Sequence, residues 1–542
     1  MNTNIPVRNI VFFLLFTVIG FLAYKDCFGI LMPCDTYGQF YLFEKGFITG
    51  FNEYSQTAAP YFSGYSIVYF LYHFFGLVPS YWISAGILLH ALNTFLVFLI
   101  VKLFFKICLN RTTETVAFFS ALIFLVSPYQ TEDILWLNIR WLFHASVALA
   151  GLYFFILYLT DPSVKKVSVI HFLFLLGIFS NEITAIVPVI CLVIYFLFQK
   201  LHKTNMSLKK VIIQIIFIQV LFIALYFLFC KIRYGHWIWH AGTSEHITQS
   251  GNYVKTLLKY FAKFFLFYRY IPVSEFDNLL RSFSSNYFLL SFLFLAVASF
   301  LAFFFMRIVK NKKEEGYFLI SIFICFILFL LPMLPLDSSF LKYIYPDRYG
   351  YLASVFFYIF VSASFFFVLR KFAFAAMTGY AVLCWVLLMQ TIPVWNKANN
   401  YCNRLVEQYK PFIKYDHVYV LNIPAYYKGI AAFRSSFDAS IFFTYDKSPI
   451  KKIQVIAGCY QDFDSDSIAS VKTIGNEIQV IGPKKKTPYF STGGGWAKSY
   501  ETDQYKVTFD SAKCSYLLRF KNEIPLNSAF IYAGSDSWKK AE

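Results

Sequence analysis

The chain has 542 residues, is 58% hydrophobic and 22% aromatic, and carries only 14% charged residues. Soluble domains hold roughly 25% charge, so this composition excludes a soluble globular protein and indicates an integral membrane protein of many spans. The net charge of +18 is read as loop lysine and arginine that set orientation. It is not a nucleic-acid surface, because no separate basic domain with interleaved aromatics is present.

Apolar runs able to cross a bilayer, or nearly so, lie near residues 8–30, 81–106, 113–128, 137–160, 166–180, 183–199, 210–233, 286–309, 315–336, 349–369 and 371–394. They predict about eleven transmembrane helices. No small-residue cleavage site follows the first run, so it is expected to remain as an anchor. With the N-terminus inside, every inner loop is basic: Lys102, Lys106 and Arg111; Lys165 and Lys166; Lys200, Lys203, Lys209 and Lys210; Arg307, Lys310, Lys312 and Lys313; Arg370 and Lys371. The first two outer loops hold Asp35, Glu44, Glu53, Glu132 and Asp133 against few cations. This is the positive-inside pattern, and an odd span count puts the C-terminus outside.

Taken in chain order, the outer loops carry the chemistry. Asp35 follows the first span directly, where an ionised carboxylate is costly to hold near hydrocarbon. Tyr37, Phe40, Tyr41, Phe43 and Tyr54 come after it and suit either interfacial anchoring or stacking on sugar rings. Residues 60–78 are rich in tyrosine and are expected to lie in the headgroup layer; as a crossing helix they would invert every later loop. Between the third and fourth spans, Glu132 or Asp133, Trp136 and Arg140 share one face if the segment is helical. Ser180-Asn181-Glu182 forms the next outer turn; the two short runs flanking it could instead form a re-entrant pair, which leaves the parity unchanged.

In the loop 234–285, Lys255, Lys259 and Lys263 recur every four residues beside Leu257, Leu258, Phe261, Phe264 and Phe265. They predict a basic amphipathic helix on the outer leaflet. His236, His240 and His246 offer a histidine pair for a metal, though Trp237 and Trp239 make interfacial anchoring the simpler account. Lys342 and Pro346-Asp347-Arg348-Tyr349 lead into the tenth span.

After Trp395 the composition turns polar. Residues 452–456, 477–481, 505–509 and 515–520 alternate with period two, which predicts half-buried strands. The expected organisation is an all-α polytopic membrane domain over 1–396 and a β-rich α+β extracytoplasmic domain over 397–542. That domain opens on a strand-like run from Val418 to Pro424. Asp462, Asp464 and Asp466 lack the glycine and distal glutamate of a calcium loop and are read as surface acids. No Cys-x-x-Cys pair occurs, and Cys402, Cys459 and Cys514 leave room for one disulfide whose pairing the sequence does not choose.

Each polar residue also has a plain explanation, such as a helix cap, a snorkelling arginine or a surface ion pair. Together they place acids and cations at the outer ends of several spans, which is the layout of a catalytic cleft. Sugar transfer from a lipid phosphate needs such a set. A carboxylate serves as base toward the acceptor hydroxyl, and cations or a divalent metal stabilise the departing phosphate.

These residues resemble the GT-C superfamily of multi-span glycosyltransferases, which use polyprenyl-phosphate sugars. Asp35 matches the acid that family places after its first span. Glu132-Asp133 corresponds to its second acidic motif. The stretch from Pro128 through Glu132 and Trp136 to Arg140 is similar to that of bacterial and tetratricopeptide-linked members. Ser180-Asn181-Glu182 resembles a Ser-Lys-Glu turn, and Asp347-Arg348-Tyr349 resembles Glu-Arg-Tyr. Two departures stand out: the first loop has one acid rather than a doublet, and Asn181 replaces the lysine.

The resemblance implies an inverting glycosyltransferase in the bacterial inner membrane, with a glycan, lipid or protein as acceptor. Asp35 is the expected base. Glu132 and Asp133 are candidate ligands for a divalent cation, Mg or Mn. Arg140, Glu182, Lys342, Asp347, Arg348, Tyr37 and Trp136 are the expected substrate contacts. A lipid-linked glycan flippase and a non-catalytic envelope assembly factor remain alternatives.

Overall fold

The computed structural model describes residues 7–541 apart from 58–59, 112, 138, 236, 238–250, 271–294, 296–298, 300–305, 307, 311, 336–342, 435, 446–451, 462–468, 483–488, 492–496, 511–512 and 535–536. The span expected at 286–309, the histidines of 236–246, Lys342 and the alternating aspartates of 462–466 thus fall wholly or mostly outside the described residues. The chain forms two compact units, Met1–Phe28 with Phe51–Ile392, and Gly29–Gly50 with Pro393–Glu542. The boundary expected at 396/397 therefore falls at 392/393, and most of the first loop belongs with the C-terminal residues.

In chain order the helices are α1 (Val7–Ala23), α2 (Cys34–Glu44), α3 (Phe47–Thr57), α4 (Phe62–Phe75), α5 (Pro79–Cys108), α6 (Glu114–Leu125), α7 (Thr131–Leu135), α8 (Ile139–Thr160), α9 (Val164–Ile178) and α10 (Val187–Lys200). They continue with α11 (Leu208–Tyr234), α12 (Gly251–Leu266), α13 (Lys313–Leu330), α14 (Tyr351–Leu369), α15 (Ala373–Glu407) and α16 (Phe437–Thr444).

Six stretches of the described residues are long and apolar enough to cross a membrane: Pro79–Cys108, Ile139–Thr160, Glu182–Lys200, Leu208–Tyr234, Lys313–Met333 and Asp347–Phe412. The last contains α14 and α15, which meet at Arg370 with φ +45°. Val7–Ala23 and Glu114–Leu125 are apolar but shorter. At 1.5 Å per residue a 17-residue helix such as α1 reaches about 26 Å, against a hydrocarbon core of about 30 Å. Apolar runs read from sequence include flanking turns that the fold does not build as helix. Among the described residues this leaves six stretches of crossing length, the last holding two helices, beside shorter apolar helices, while the run expected at 286–309 lies mostly outside the described residues. The tyrosine-rich α4 has 14 residues, about 21 Å, too short to cross upright.

Several polar side chains inside the first unit are paired with one another. The Tyr351 hydroxyl donates to His90 Nδ1 (2.7 Å) and accepts from Asn93 Nδ2 (3.0 Å), while Ser146 Oγ lies 2.6 Å from Asn93 Oδ1. These bonds tie α5, α8 and α14, and they satisfy groups that would be costly to bury alone. At the ends expected to face inward, Glu114 bridges Arg8 and Lys102, and Glu315 bridges Arg111 and Lys312.

The second unit is β-rich. Its strands are β1 (His417–Tyr427), β2 (Ile430–Ala431), β3 (Ile453–Val455), β4 (Gly458–Gln461), β5 (Ser470–Ile474), β6 (Glu477–Ile481), β7 (Tyr489–Phe490), β8 (Ser499–Glu501), β9 (Tyr505–Asp510), β10 (Ser515–Phe520), β11 (Ser528–Ala533) and β12 (Trp538–Lys540). One sheet runs β12-β11-β1-β4-β7, with β2 and β3 also on β1; the other is the antiparallel β5-β6-β10-β9-β8. Strand β1 is parallel to β3, β4 and β11 and buried along nearly its whole length, as a central parallel strand should be. Pro424 fits within β1 because the register shifts there, between Pro424 and Tyr426. Tyr419 and Leu421 of β1 share a core with Ile478, Val480, Val507, Tyr516 and Leu518 of the second sheet. All four runs read from alternation are strands or contain one. Of the cysteines considered for a disulfide, Cys402 and Cys514 are buried and Cys459 is half-buried.

Candidate functional site

The candidate residues fall into three groups, two in the first unit and one in the second. The first group is built by α7, the turn 347–350 that precedes α14, and the end of α12. Glu132 gives one carboxylate oxygen to the Arg348 guanidinium and the other to the Arg348 backbone N–H at 2.7 Å. Around that guanidinium stand Trp136 (4.5 Å), Tyr345 (4.6 Å) and Tyr349 (4.5 Å), an aromatic cage that leaves it 7% exposed. Asp347 holds two cations. Arg269 binds it through both terminal nitrogens, at 2.8 and 2.5 Å, and Lys263 Nζ lies 2.6 Å away. Tyr129 completes this arrangement by donating to the Lys263 carbonyl at 2.6 Å while its ring lies 5.1 Å from the ammonium.

Lys263 corrects the reading of α12 as a helix with all three lysines on the leaflet. Its side chain is fully buried. Thr256, Tyr260, Lys263, Phe264 and Phe267 form the buried stripe, and a residue seven beyond another returns to the same face. Repetition every four residues therefore hid a lysine that belongs to the inner side. Burial pulls its ammonium below the ordinary lysine range, with Asp347 acting the other way.

Asp133 is fully buried, and neither of its oxygens has a hydrogen-bond partner among the described residues. Burial first, then the neighbouring Glu132 carboxylate, raises its pKa well above the usual carboxylate range. Burial also raises Glu132, with Arg348 opposing it. These two acids do not fit a divalent ion. Magnesium demands a nearly ideal octahedron of oxygens, yet Glu132 is committed to Arg348 and burial opposes the ionisation of Asp133. Among the described residues no group of three or more His, Cys, Asp or Glu is placed to hold a metal.

The second group is Arg140, Glu182 and their tyrosines. The Arg140 guanidinium donates to the Tyr54 hydroxyl and lies 4.6 Å from the Tyr61 ring centre. Tyr61 lies near Glu182, and burial first, then the Glu182 carboxylate, raises its phenol well above the ordinary range. Gly64 leaves room for the Arg140 side chain, which a Cβ there would meet. One turn further along α8, His144 Nε2 is 2.8 Å from Thr184 Oγ1.

The third group lies in the second unit. Asp35 occupies the first turn of α2 and is 48% exposed, with Arg434 Nη1 4.0 Å from its Oδ2. Tyr37 packs on Phe443 at 5.8 Å, and burial pushes its phenol up to about 12. Sequence reasoning missed Arg269, Tyr129, His144 and Arg434. Each sits far along the chain from the residue it serves, and none forms a motif.

Long apolar helices that enclose buried ion pairs and a polar network define a membrane-embedded protein with a β-rich C-terminal unit. A comparison of the chain with family models finds no match, and a search of curated proteins finds none either.

Proposed function

We propose that the protein is a glycosyltransferase that moves a sugar, with inversion, from a polyprenyl-phosphate donor to a glycan, lipid or protein acceptor. Transfer takes place on the outer face of the inner membrane. In this reading the chain has about eleven spans, a cytoplasmic N-terminus and a periplasmic C-terminus. Asp35 takes the proton of the acceptor hydroxyl as its oxygen attacks the anomeric carbon. The bond from that carbon to the phosphate oxygen breaks, and polyprenyl phosphate leaves.

The observation that carries the reading is Asp35. It is a half-exposed carboxylate at the first turn of α2, soon after the first apolar helix, with a cation facing it. Arg140 supports the reading as a phosphate contact. Its guanidinium is oriented by Tyr54 and Tyr61 and, unlike that of Arg348, is bonded to no carboxylate in the pairs described. Arg348 and Asp347 then act by holding their surroundings rather than by touching the donor. No step is assigned to a metal.

The test is transfer from radiolabelled polyprenyl-phosphate hexose in membranes holding the Asp35→Asn variant at wild-type abundance. Loss of at least about 100-fold is expected for removal of a general base; a wild-type rate refutes the assignment. A second reading, a non-catalytic assembly factor, is favoured by one observation: Glu132–Arg348 and Asp347–Lys263–Arg269 are closed among themselves. It predicts that purified wild-type protein transfers no sugar from any polyprenyl-phosphate donor.

A further inference from the structure

We propose that Arg434 is a positioning residue for Asp35, so that one task of the C-terminal unit is to complete the site of the first-loop acid. This rests on the reading of Asp35 as the base. Three contacts set the register between the start of α2 and the segment before α16. Cys34 N donates to the Ala432 carbonyl at 2.6 Å, Arg434 Nη1 is 4.0 Å from Asp35 Oδ2, and Gly38 N donates to Ser436 Oγ at 3.1 Å. The ion pair is thus bracketed on both sides by hydrogen bonds to backbone.

The segment is itself fixed to the central strand. Ala432 N donates to the Ala425 carbonyl at 2.8 Å and Phe433 N to the Pro424 carbonyl at 3.2 Å. Phe433 packs on Phe437 at 5.3 Å, and Phe437 on Trp538 at 5.3 Å. On the other side, Tyr37 and Tyr41 of α2 meet Phe443 and Phe442 of α16 at 5.8 and 5.0 Å. Leu31 N is held by the Asn399 carboxamide oxygen at 3.0 Å. The backbone of Asp35 is therefore rigidly supported while its side chain remains 48% exposed.

An exposed carboxylate on a helix turn samples several rotamers, whereas a base must hold its lone pair toward one hydroxyl. An exposed ion pair adds little stability. The guanidinium, carried on a braced segment, instead biases which rotamer Asp35 adopts. Its planar fork suits a carboxylate better than a lysine ammonium does, yet lysine keeps the charge.

The test uses the full chain in membranes, with radiolabelled polyprenyl-phosphate hexose as donor. Arg434→Gln is expected to lower kcat about tenfold, with KM for the donor within about twofold, as for an interaction that matters mainly in the transition state. Arg434→Lys should restore most of the rate. In an Asp35→Asn background, Arg434→Gln should cost nothing further, because the two residues act as one unit. A wild-type kcat in Arg434→Gln, no rescue by lysine, or an additive loss overturns the proposal.

Hydrogen exchange supplies a readout that needs no activity. The amides of Cys34 and Gly38 should be protected in the wild type, with Gly38 exchanging faster in Ser436→Ala. Unprotected amides overturn the register itself. If protection holds but Asp35→Asn transfers at the wild-type rate, the fault lies with the base assignment and not with the geometry.

Discussion

At the scale of single residues, a notable group in the first unit is a buried carboxylate with no hydrogen-bond partner among the described residues. Asp133 is buried beside Glu132, Arg348, Asp347 and Lys263, yet no donor reaches its oxygens among the described residues. Its folded pKa is raised, so it favours the fold when protonated. That contribution is complete below the unfolded carboxylate value, near 4, and is lost as pH rises toward the folded value. The loss is about 1.4 kcal/mol for each pH unit in that window. Asp133→Asn removes the titration. Relative to wild type, the variant should therefore gain stability between pH 5 and pH 8, read from thermal unfolding in detergent at both values. An unchanged difference would show that Asp133 is ionised in the fold. The sequence marked Glu132 and Asp133 as one acidic pair. Only their surroundings separate a carboxylate bound to arginine from one whose ionisation burial opposes.

At the scale of elements, the ion triad fastens α12 to the turn that opens α14. Asp347 and Lys263 are fully buried and Arg269 is 10% exposed. Removing the shared acid leaves two buried cations unpaired, a loss on the order of 3–5 kcal/mol. Asp347→Asn should therefore unfold far more readily than wild type. Lys263→Met leaves Arg269 paired with Asp347 through both nitrogens, and a hydrophobic replacement of a buried ion is often neutral; its cost should stay within about 1 kcal/mol. The two unfolding curves, compared in one detergent, check both statements. Equal losses would mean that Lys263 is needed for more than charge. The sequence showed that α12 is amphipathic and basic. It could not show that the inward stripe of Thr256, Tyr260 and Phe264 takes Lys263 with it, because the acid that makes this tolerable lies more than eighty residues away.

At the scale of the whole molecule, the second unit is discontinuous, joining Gly29–Gly50 to Pro393–Glu542. A fragment of residues 393–542 alone would uncover the side of α16 on which Tyr37 and Tyr41 pack and leave the Ala432 carbonyl without the Cys34 N–H. It should melt lower, by roughly 5 °C or more, than a fragment in which 29–50 is joined to it by a flexible linker. Circular dichroism melts of the two fragments decide this. Equal melting temperatures would mean that the first loop adds nothing to the unit. Composition predicted a β-rich C-terminal domain, and alternation located four of its strand regions. No periodicity could assign 29–50 to it, since those bonds run between segments more than 360 residues apart.

The sequence by itself determined that the chain is membrane-embedded, where most of its apolar helices run, and which later segments become strands. Those properties follow from local hydrophobicity and its period, which are written in consecutive residues. It also marked Asp35, Glu132, Arg140, Glu182, Asp347 and Arg348 as unusual charges. Only the tertiary structure decided their company. Glu132 went to Arg348, Asp347 to Lys263 and Arg269, and Asp35 to Arg434. The reason is that a buried or half-buried charge is stabilised by whichever opposite charge the fold brings within a few ångströms, and chain distance carries no record of that choice.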